Sequence, residues 1–361
     1  MSAQRLSEWW PLALAFVGFV LLPALDLLPT ELLRLLASIG TTAISVMGLN
    51  LLLGYTGQVS LGQAAFVMVG AYTSAILARE TGLSFWLSMP LAGLAAGLVG
   101  LLFGLPSLRV RGFYLAMATL AAQFIIPWVI KAPEKLATLV GWLTLGLVHP
   151  TWDSTLTGGA TGLQVPAPVL FGSTLDSTRA EYLTVLAVVV VAFLFQRNVV
   201  RTRTGRALVA IRDNERAAEV LGIHPYTYKL QAFFLCALYA GIAGALQAHF
   251  RRSISPDAFT LASSIEQLGM LVVGGAGYLA GPLFGVSLFR LMQDIIVRVT
   301  PTLREIVPRL LPFVAQTDVD TSFRPLIFGL TLMLFLIYQP LGMAHGVRQL
   351  AARWRARVPS R

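Results

Sequence analysis

Residues Leu32–Ala78 form one apolar stretch, interrupted by Gly54, Gly57 and Gly62 with Thr56, Gln58, Ser60 and Gln63 among them. At about 1.5 Å per residue, a single helix over its 47 residues would be roughly 70 Å long. A bilayer core is about 30 Å thick, so the chain must turn or break near Gly54–Gly62. Backbone freed from a helix in lipid survives only where protein buries it or where it lines a wet cavity. Two readings fit: an ordinary hairpin at the membrane surface, or a solute path bordered by Asn50, Thr56, Gln58, Ser60 and Gln63. Composition alone favours the hairpin.

The chain is 56% hydrophobic and 12% charged. Soluble domains carry about a quarter charged residues, so the fold class is all-α, a polytopic membrane protein. Residues 1–361 are expected to form a single transmembrane domain of about ten helices. The candidates are Trp10–Leu28 (within 8–31), Leu33–Leu53, Ala64–Ala78, Phe85–Leu105, Phe113–Ile130, Tyr182–Phe195, Tyr226–His249, Ile265–Val273, Pro282–Val299 and Pro325–Tyr338. Tyr182–Phe195 and Ile265–Val273 are short for a crossing, and Leu136–Val148 suits an interfacial or re-entrant piece. Trp9–Leu28 has little of the basic start and no small-x-small cleavage site of a signal peptide and is kept as a span. The single cysteine, Cys236, excludes a disulfide framework. The sequence contains neither a phosphate-binding loop nor a His/Cys metal cluster, so any ATPase would be another chain.

Lys and Arg set the expected orientation. Arg197–Lys229 carries seven of them, and the tail 345–361 carries five with no acid. Basic loops stay in the cytoplasm. Ten alternating spans put both segments inside with Arg109 and Arg111, and put Lys131–Glu181 outside. Both termini are then cytoplasmic, and the basic balance reports topology rather than nucleic-acid binding.

Two further stretches carry information. In the cytoplasmic loop 197–229, Thr204–Gly222 places Leu208, Ile211, Ala218 and Leu221 on one helical face. Thr204 is positioned to cap its start, and Gly222 with Pro225 to close its end. An interfacial helix and a knob for a partner's groove both fit this pattern. The second stretch, Ser263–Leu283, is another apolar run interrupted by glycines, among them Gly274, Gly275 and Gly277. Paired interruptions of this kind point to a transport site. Ser263-x-x-Glu266 reads as a capping box, which weighs against Glu266 as a ligand. Arg290, Asp294 and Arg298, four apart, read as a mutually paired ladder.

These stretches resemble a known family. G-L-N-L-L-L-G-Y-T-G-Q-V-S-L-G-Q-A-A-F at Gly48–Phe66 is similar to the hallmark of permeases in high-affinity branched-chain amino acid ABC importers. The likeness continues through L-R-V-R-G-F-Y-L-A at Leu108–Ala116 and T-G-G-A-T-G-L-Q-V-P-A-P at Thr157–Pro168. It is strongest at T-G-R-A-L-V-A-I-R-D-N-E-R-A-A-E-V-L-G-I, Thr204–Ile223, and ends in S-I-E-Q-L-G-M-L-V-V-G-G-A-G-Y-L-A-G-P at Ser264–Pro282. The order of loops and tail resembles the M-type permease subunit.

The resemblance implies a bacterial inner-membrane, multi-pass subunit paired with a homologous permease, two cytoplasmic ABC ATPases and a periplasmic solute-binding protein. The chain itself would hold no cofactor, since ATP would be bound by the ATPases. The glycine breaks would border the path, with Asn50, Tyr55, Thr56, Gln58, Ser60, Gln63, Glu266, Gly274, Gly275 and Gly277 along it. Thr204–Gly222 would couple to the ATPase through Gly205, Arg206, Leu208, Ile211, Arg212, Ala217, Ala218, Leu221 and Gly222. Ala217-Ala218-x-x-x-Gly222 matches the A-A-x-x-x-G core of the ABC coupling motif. Three positions depart from the family pattern: Arg216, Phe113 and Gln123 stand where acids are common.

The resulting expectation is a non-enzymatic conduit, driven by a partner's ATP, for branched-chain amino acids or a related small polar solute. Relatives carry urea, short amides or carboxylates. The alternative is an ion-coupled secondary transporter, which needs membrane-buried ionisable relays. Beyond Glu266 and Arg290–Arg298 the spans are almost free of charge.

Overall fold

A computed structural model describes residues 29–107, 114–135, 157–159, 161–170, 173–174 and 177–310, with short pieces between 329 and 346. The expected first span, the Leu136–Val148 piece, Phe113, most of Pro325–Tyr338 and nearly all of the basic tail fall outside these residues.

The elements are α1 (Thr30–Leu49), a π-helical turn (Asn50–Gly54), α2 (Gln63–Thr81), α3 (Phe85–Ser107) and α4 (Tyr114–Lys131). Then come β1 (Leu163–Gln164), β2 (Val169–Leu170), β3 (Ser173–Thr174), α5 (Thr178–Arg201), α6 (Arg203–Asp213), α7 (Glu215–Val220) and α8 (Pro225–Arg251). The described chain ends with β4 (Ser253–Ile254), a 3-10 turn (Pro256–Ala258), α9 (Leu261–Gly274) and α10 (Gly281–Leu310). Among the described residues four helices are long and apolar enough to cross a membrane: Thr30–Gly54, Phe85–Leu105, Thr178–Arg201 and Pro225–Arg251. The expected short span Tyr182–Phe195 is the middle of α5, whose polar ends continue it to 24 residues.

Helix α8 is the central member, packed on α1, α2 and α3. Lipid gives apolar side chains no reason to prefer protein over hydrocarbon, so close backbone approach must hold such helices together. Small residues of α8 supply it. A Cβ on Gly70 of α2 would lie 2.2 Å from the Gly241 carbonyl oxygen, and one on Gly244 would lie 2.0 Å from that of Val67. The small residues of α3 are consumed in the same way. Gly93 meets Ile242, Gly97 meets Phe234 and Gly100 meets Ala237, all on α8 of this chain.

A short loop covers the end of the bundle where α8 finishes. β1 pairs antiparallel with β4, Leu163 opposite Ile254, and Val165 N–H donates to the Arg252 carbonyl at 2.9 Å. His249 fastens this loop, with Nδ1 3.1 Å from the Pro166 carbonyl oxygen and Nε2 3.0 Å from Ser74 Oγ. Because a carbonyl only accepts, Nδ1 carries the proton and Nε2 accepts from Ser74.

Candidate translocation site

The first break is not a surface hairpin. Helix α1 ends in the π turn, closed by Gly57 in the left-handed region (φ 72°), with Gly57 N–H donating to Leu53 and Gln58 N–H to Leu52. The next helix does not begin beside that turn. Gln63, the first residue of α2, donates from Nε2 to the Ser45 carbonyl (3.0 Å) and lies 3.1 Å from Ser45 Oγ. Ser45 precedes Gly54 by nine residues, so α2 starts about 13 Å back along α1. Residues 55–62 therefore re-enter the bundle, and the reading of an ordinary hairpin is overturned. The cause is tertiary, because polar side chains inside the bundle receive the free N–H groups that open α2.

Ala64 N–H donates to Ser264 Oγ (2.9 Å), and Ala65 N–H to Gln123 Oε1 (3.1 Å). Leu61 N–H donates to Thr119 Oγ1 at 2.9 Å. Ser264 also donates to Gln123 Oε1, and Gln123 Nε2 donates to the Phe259 carbonyl. Ser45 donates to Gln267 Oε1 at 2.6 Å. Gln63, Gln123, Ser45 and Ser264 are all buried. Because Ser264 lies in the first turn of α9, the two interrupted helices meet N-terminus to N-terminus. α9 has 14 residues, about 21 Å, too few to cross the ~30 Å core alone.

The other ends of the two breaks also meet. Asn50, fully buried, accepts at Oδ1 from Gly277 N–H (2.8 Å) and donates from Nδ2 to the Tyr278 carbonyl (2.9 Å). A Cβ on Gly54 would lie 2.4 Å from Gly277 N, so only glycine allows this approach. Arg212 of α6 closes the junction, donating from Nη1 to the Gly54 carbonyl at 2.6 Å. Gly274 and Gly275 are buried beside this contact, and Tyr55 and Thr56 beneath it. Ser60 Oγ and Gln58 Oε1 are buried with no partner among the described residues.

Between these two meeting points and the loop-covered end lies a cavity of about 390 Å³. Its polar lining includes Ser45, Ser263, Glu266, Gln267 and Arg290, and its apolar lining includes Val67, Leu246, Phe250, Phe259 and Met270. Arg34, Glu181 and Phe250 also border a second space of about 290 Å³ nearer the loop. Two sequence expectations fail here. Thr260, not Ser263, caps α9, accepting from Ser263 N–H, and Glu266 instead accepts from Gln293 Nε2, so the capping box does not form. The ladder on α10 is also incomplete. Arg298 pairs with Asp294 at 2.8 Å, while Arg290 turns to Gln293 and Thr42.

The expected coupling helix is two helices bent at Asn214, whose Oδ1 accepts from Ala217 N–H to start α7. Thr204 lies inside α6, and Thr202 takes the cap position. Gly222 closes α7 with φ 81°. Gly205, Leu208, Ile211 and Ala218 are buried against this chain's own helices, and Lys229 pairs with Glu215 at 2.7 Å to tie α7 to α8. The apolar face is thus spent internally. Leu221 departs from that face, and with Val220 it is the exposed apolar pair (77% and 88%). Arg206, Arg212, Arg216 and Ala217 lie on the exposed side.

Helices interrupted in pairs, with buried neutral polar groups at one junction and a cation at the other, are the pattern of a multi-pass membrane transport protein. Residues 31–346 match the family described as branched-chain amino acid transport system / permease component, and the chain belongs to that family. It is similar to the high-affinity branched-chain amino acid transport system permease protein LivM of Escherichia coli (strain K12), 35% identical over 255 residues, 64% of this chain and 55% of LivM. LivM of Salmonella typhimurium is 34% identical over the same shares. The probable branched-chain amino acid transport permease protein LivH of Methanocaldococcus jannaschii is 26% identical over 268 residues, 72% of this chain and 79% of that protein. The match spans about half the length of the two LivM proteins. No solved structure matches the chain. The family is one of permease components, not of enzymes.

Gln123, Ser45 and Gln267 join the junction without having been singled out as path residues. Gln123 stood out in the sequence only as a departure from an acid. The usable signal was an amide or hydroxyl amid apolar helix, each needing a partner once buried.

Proposed function

We propose that this chain is one permease subunit of an ATP-driven, binding-protein-dependent importer of branched-chain amino acids or a related small polar solute. It would pair with a homologous permease, receive solute from a periplasmic binding protein and dock two cytoplasmic ATPases. In this reading Asn50, Arg212 and Gly277 form the cytoplasmic closure, and the cavity opens toward the periplasm. Both chain termini are cytoplasmic. The observation that carries the reading is the Arg212–Gly54 contact, which joins the helix expected to meet the ATPase directly to the closure. The buried Leu208, Ile211 and Ala218 transmit motion by making α6 and α7 part of the permease body, while Val220 and Leu221 enter the ATPase groove. Apolar anchors seated in a groove supply most of such an interface's energy.

The test is disulfide cross-linking from Val220→Cys or Leu221→Cys to the ATPase in the reconstituted complex, with uptake measured in the same vesicles. Cross-linking, with uptake that requires ATP and survives an uncoupler, is expected. Uptake that persists without ATP and collapses with the uncoupler would instead mean an ion-coupled transporter.

A further inference from the structure

We propose that this chain carries its own solute-binding site, in which Arg290 and Glu266 recognise the carboxylate and ammonium of a zwitterionic amino acid with an aliphatic side chain. The inference rests on the importer reading and adds selectivity within the membrane. A guanidinium facing the interior of a membrane bundle is costly unless something compensates its charge. Arg290 donates only to neutral groups, Gln293 Oε1 at 3.0 Å and Thr42 Oγ1 at 2.8 Å, and its Nε is buried with no partner among the described residues. An acid is close but does not neutralise it directly. Gln293 stands between them, accepting from Arg290 and donating to Glu266. The amide holds a positive and a negative group apart on one wall of the cavity, where a ligand bearing both charges can replace it or bridge it.

Arg34, Glu181 and Arg251 also border the cavity, and part of the remaining lining fits the rest of such a ligand. Ser263 and Gln267, in the first two turns of α9, face the same space, and the N-terminal end of that helix favours negative charge. Val67, Leu246, Phe250 and Met270 line the same space and suit an aliphatic side chain. The cavity's 390 Å³ falls within the range of small-molecule sites.

The test uses the complex of permeases and ATPases without the binding protein, with Ser263→Cys as reporter and a water-soluble thiol reagent as probe. L-Leucine is expected to protect the reporter. 4-Methylpentanoate, lacking the amine, and 3-methylbutylamine, lacking the carboxylate, should protect only at higher concentration. Arg290→Gln should raise the protecting concentration of leucine about ten- to a hundredfold, the scale of one hydrogen bond to a charged group, and leave the amine's unchanged. Thr42→Ala, which leaves Arg290 in place, provides a second variant should Arg290→Gln fail to fold, and should shift leucine protection in the same direction by less. Absence of protection by leucine, or equal protection by ribose or urea, overturns the site even if the complex supplied with the binding protein shows ATP-driven uptake. Protection, with no ATP-driven uptake once the binding protein is added back, keeps the site and sinks the importer reading.

Discussion

Replacing Arg212 by alanine should open the junction of the two broken segments. Its Nη1 lies 2.6 Å from the Gly54 carbonyl, at the end of the π turn where the helix dipole favours a cation. A hydrogen bond from a charged group is worth about 1.5–3 kcal/mol. Because much of Arg212 is exposed, the lower end applies, or about tenfold in the closed population. Amide exchange reads this directly, since local opening energy sets protection. Segments 54–58 and 274–278 should exchange about tenfold faster in Arg212→Ala, while 66–78 of α2 stays unchanged. Solute-stimulated ATP hydrolysis in vesicles should fall relative to basal hydrolysis. Arg216→Ala, also exposed but without a contact to either break, is the control and should change neither. If both segments keep wild-type protection in Arg212→Ala, the contact carries no closure. The sequence placed Arg212 only among the residues coupling to the ATPase and did not show its contact with Gly54.

Other substitutions test other parts of the bundle. Gly70→Ala puts a methyl 2.2 Å from the Gly241 carbonyl oxygen. The overpacking should cost about 1–3 kcal/mol and lower the melting temperature of the purified protein. Ser264→Ala strands the buried N–H of Ala64 and should cost about 1–3 kcal/mol, visible as faster exchange at the start of α2. Asn214→Ala removes the cap of α7 and should cost about 1 kcal/mol of local stability, read as faster exchange over 217–221 with 205–211 unaffected.

Periodicity and length located most of the bundle. Leu33–Leu53, Phe85–Leu105 and Tyr226–His249 fall within helices of nearly the same extent, because apolar runs of that length have few alternatives. The break near Gly54 was equally legible, since no single span could hold the stretch. Its direction was not. That Gln63 returns to Ser45 depends on side chains of α4 and α9, far away in sequence. Likewise the period of Thr204–Gly222 identified Leu208, Ile211 and Ala218 as a buried face without saying what buries them. Only the fold assigns them to this chain and leaves Val220 and Leu221 outside. The capping box failed for a local reason, because Thr260, one turn earlier, offers the same chemistry.

The division between neutral and charged polar groups bears on how such a bundle can move. Two helix N-termini meet at Ser264 and Ala64, and each brings N–H groups that lipid cannot satisfy. The Ser264 hydroxyl and the Gln123 amide oxygen accept those of Ala64 and Ala65 at the cost of burying neutral dipoles. Gln123 also donates from Nε2 to the Phe259 carbonyl, which an ionised carboxylate could not do. Such bonds are directional and short, so they fix the junction as a unit. At the opposite end Asn50 and Arg212 hold backbone to backbone through two side chains. A shift of α6 can break that end without disturbing the other. A hinge at the Gln63–Ser264 junction and a latch at Gly54–Gly277 is therefore the motion the polar contacts favour.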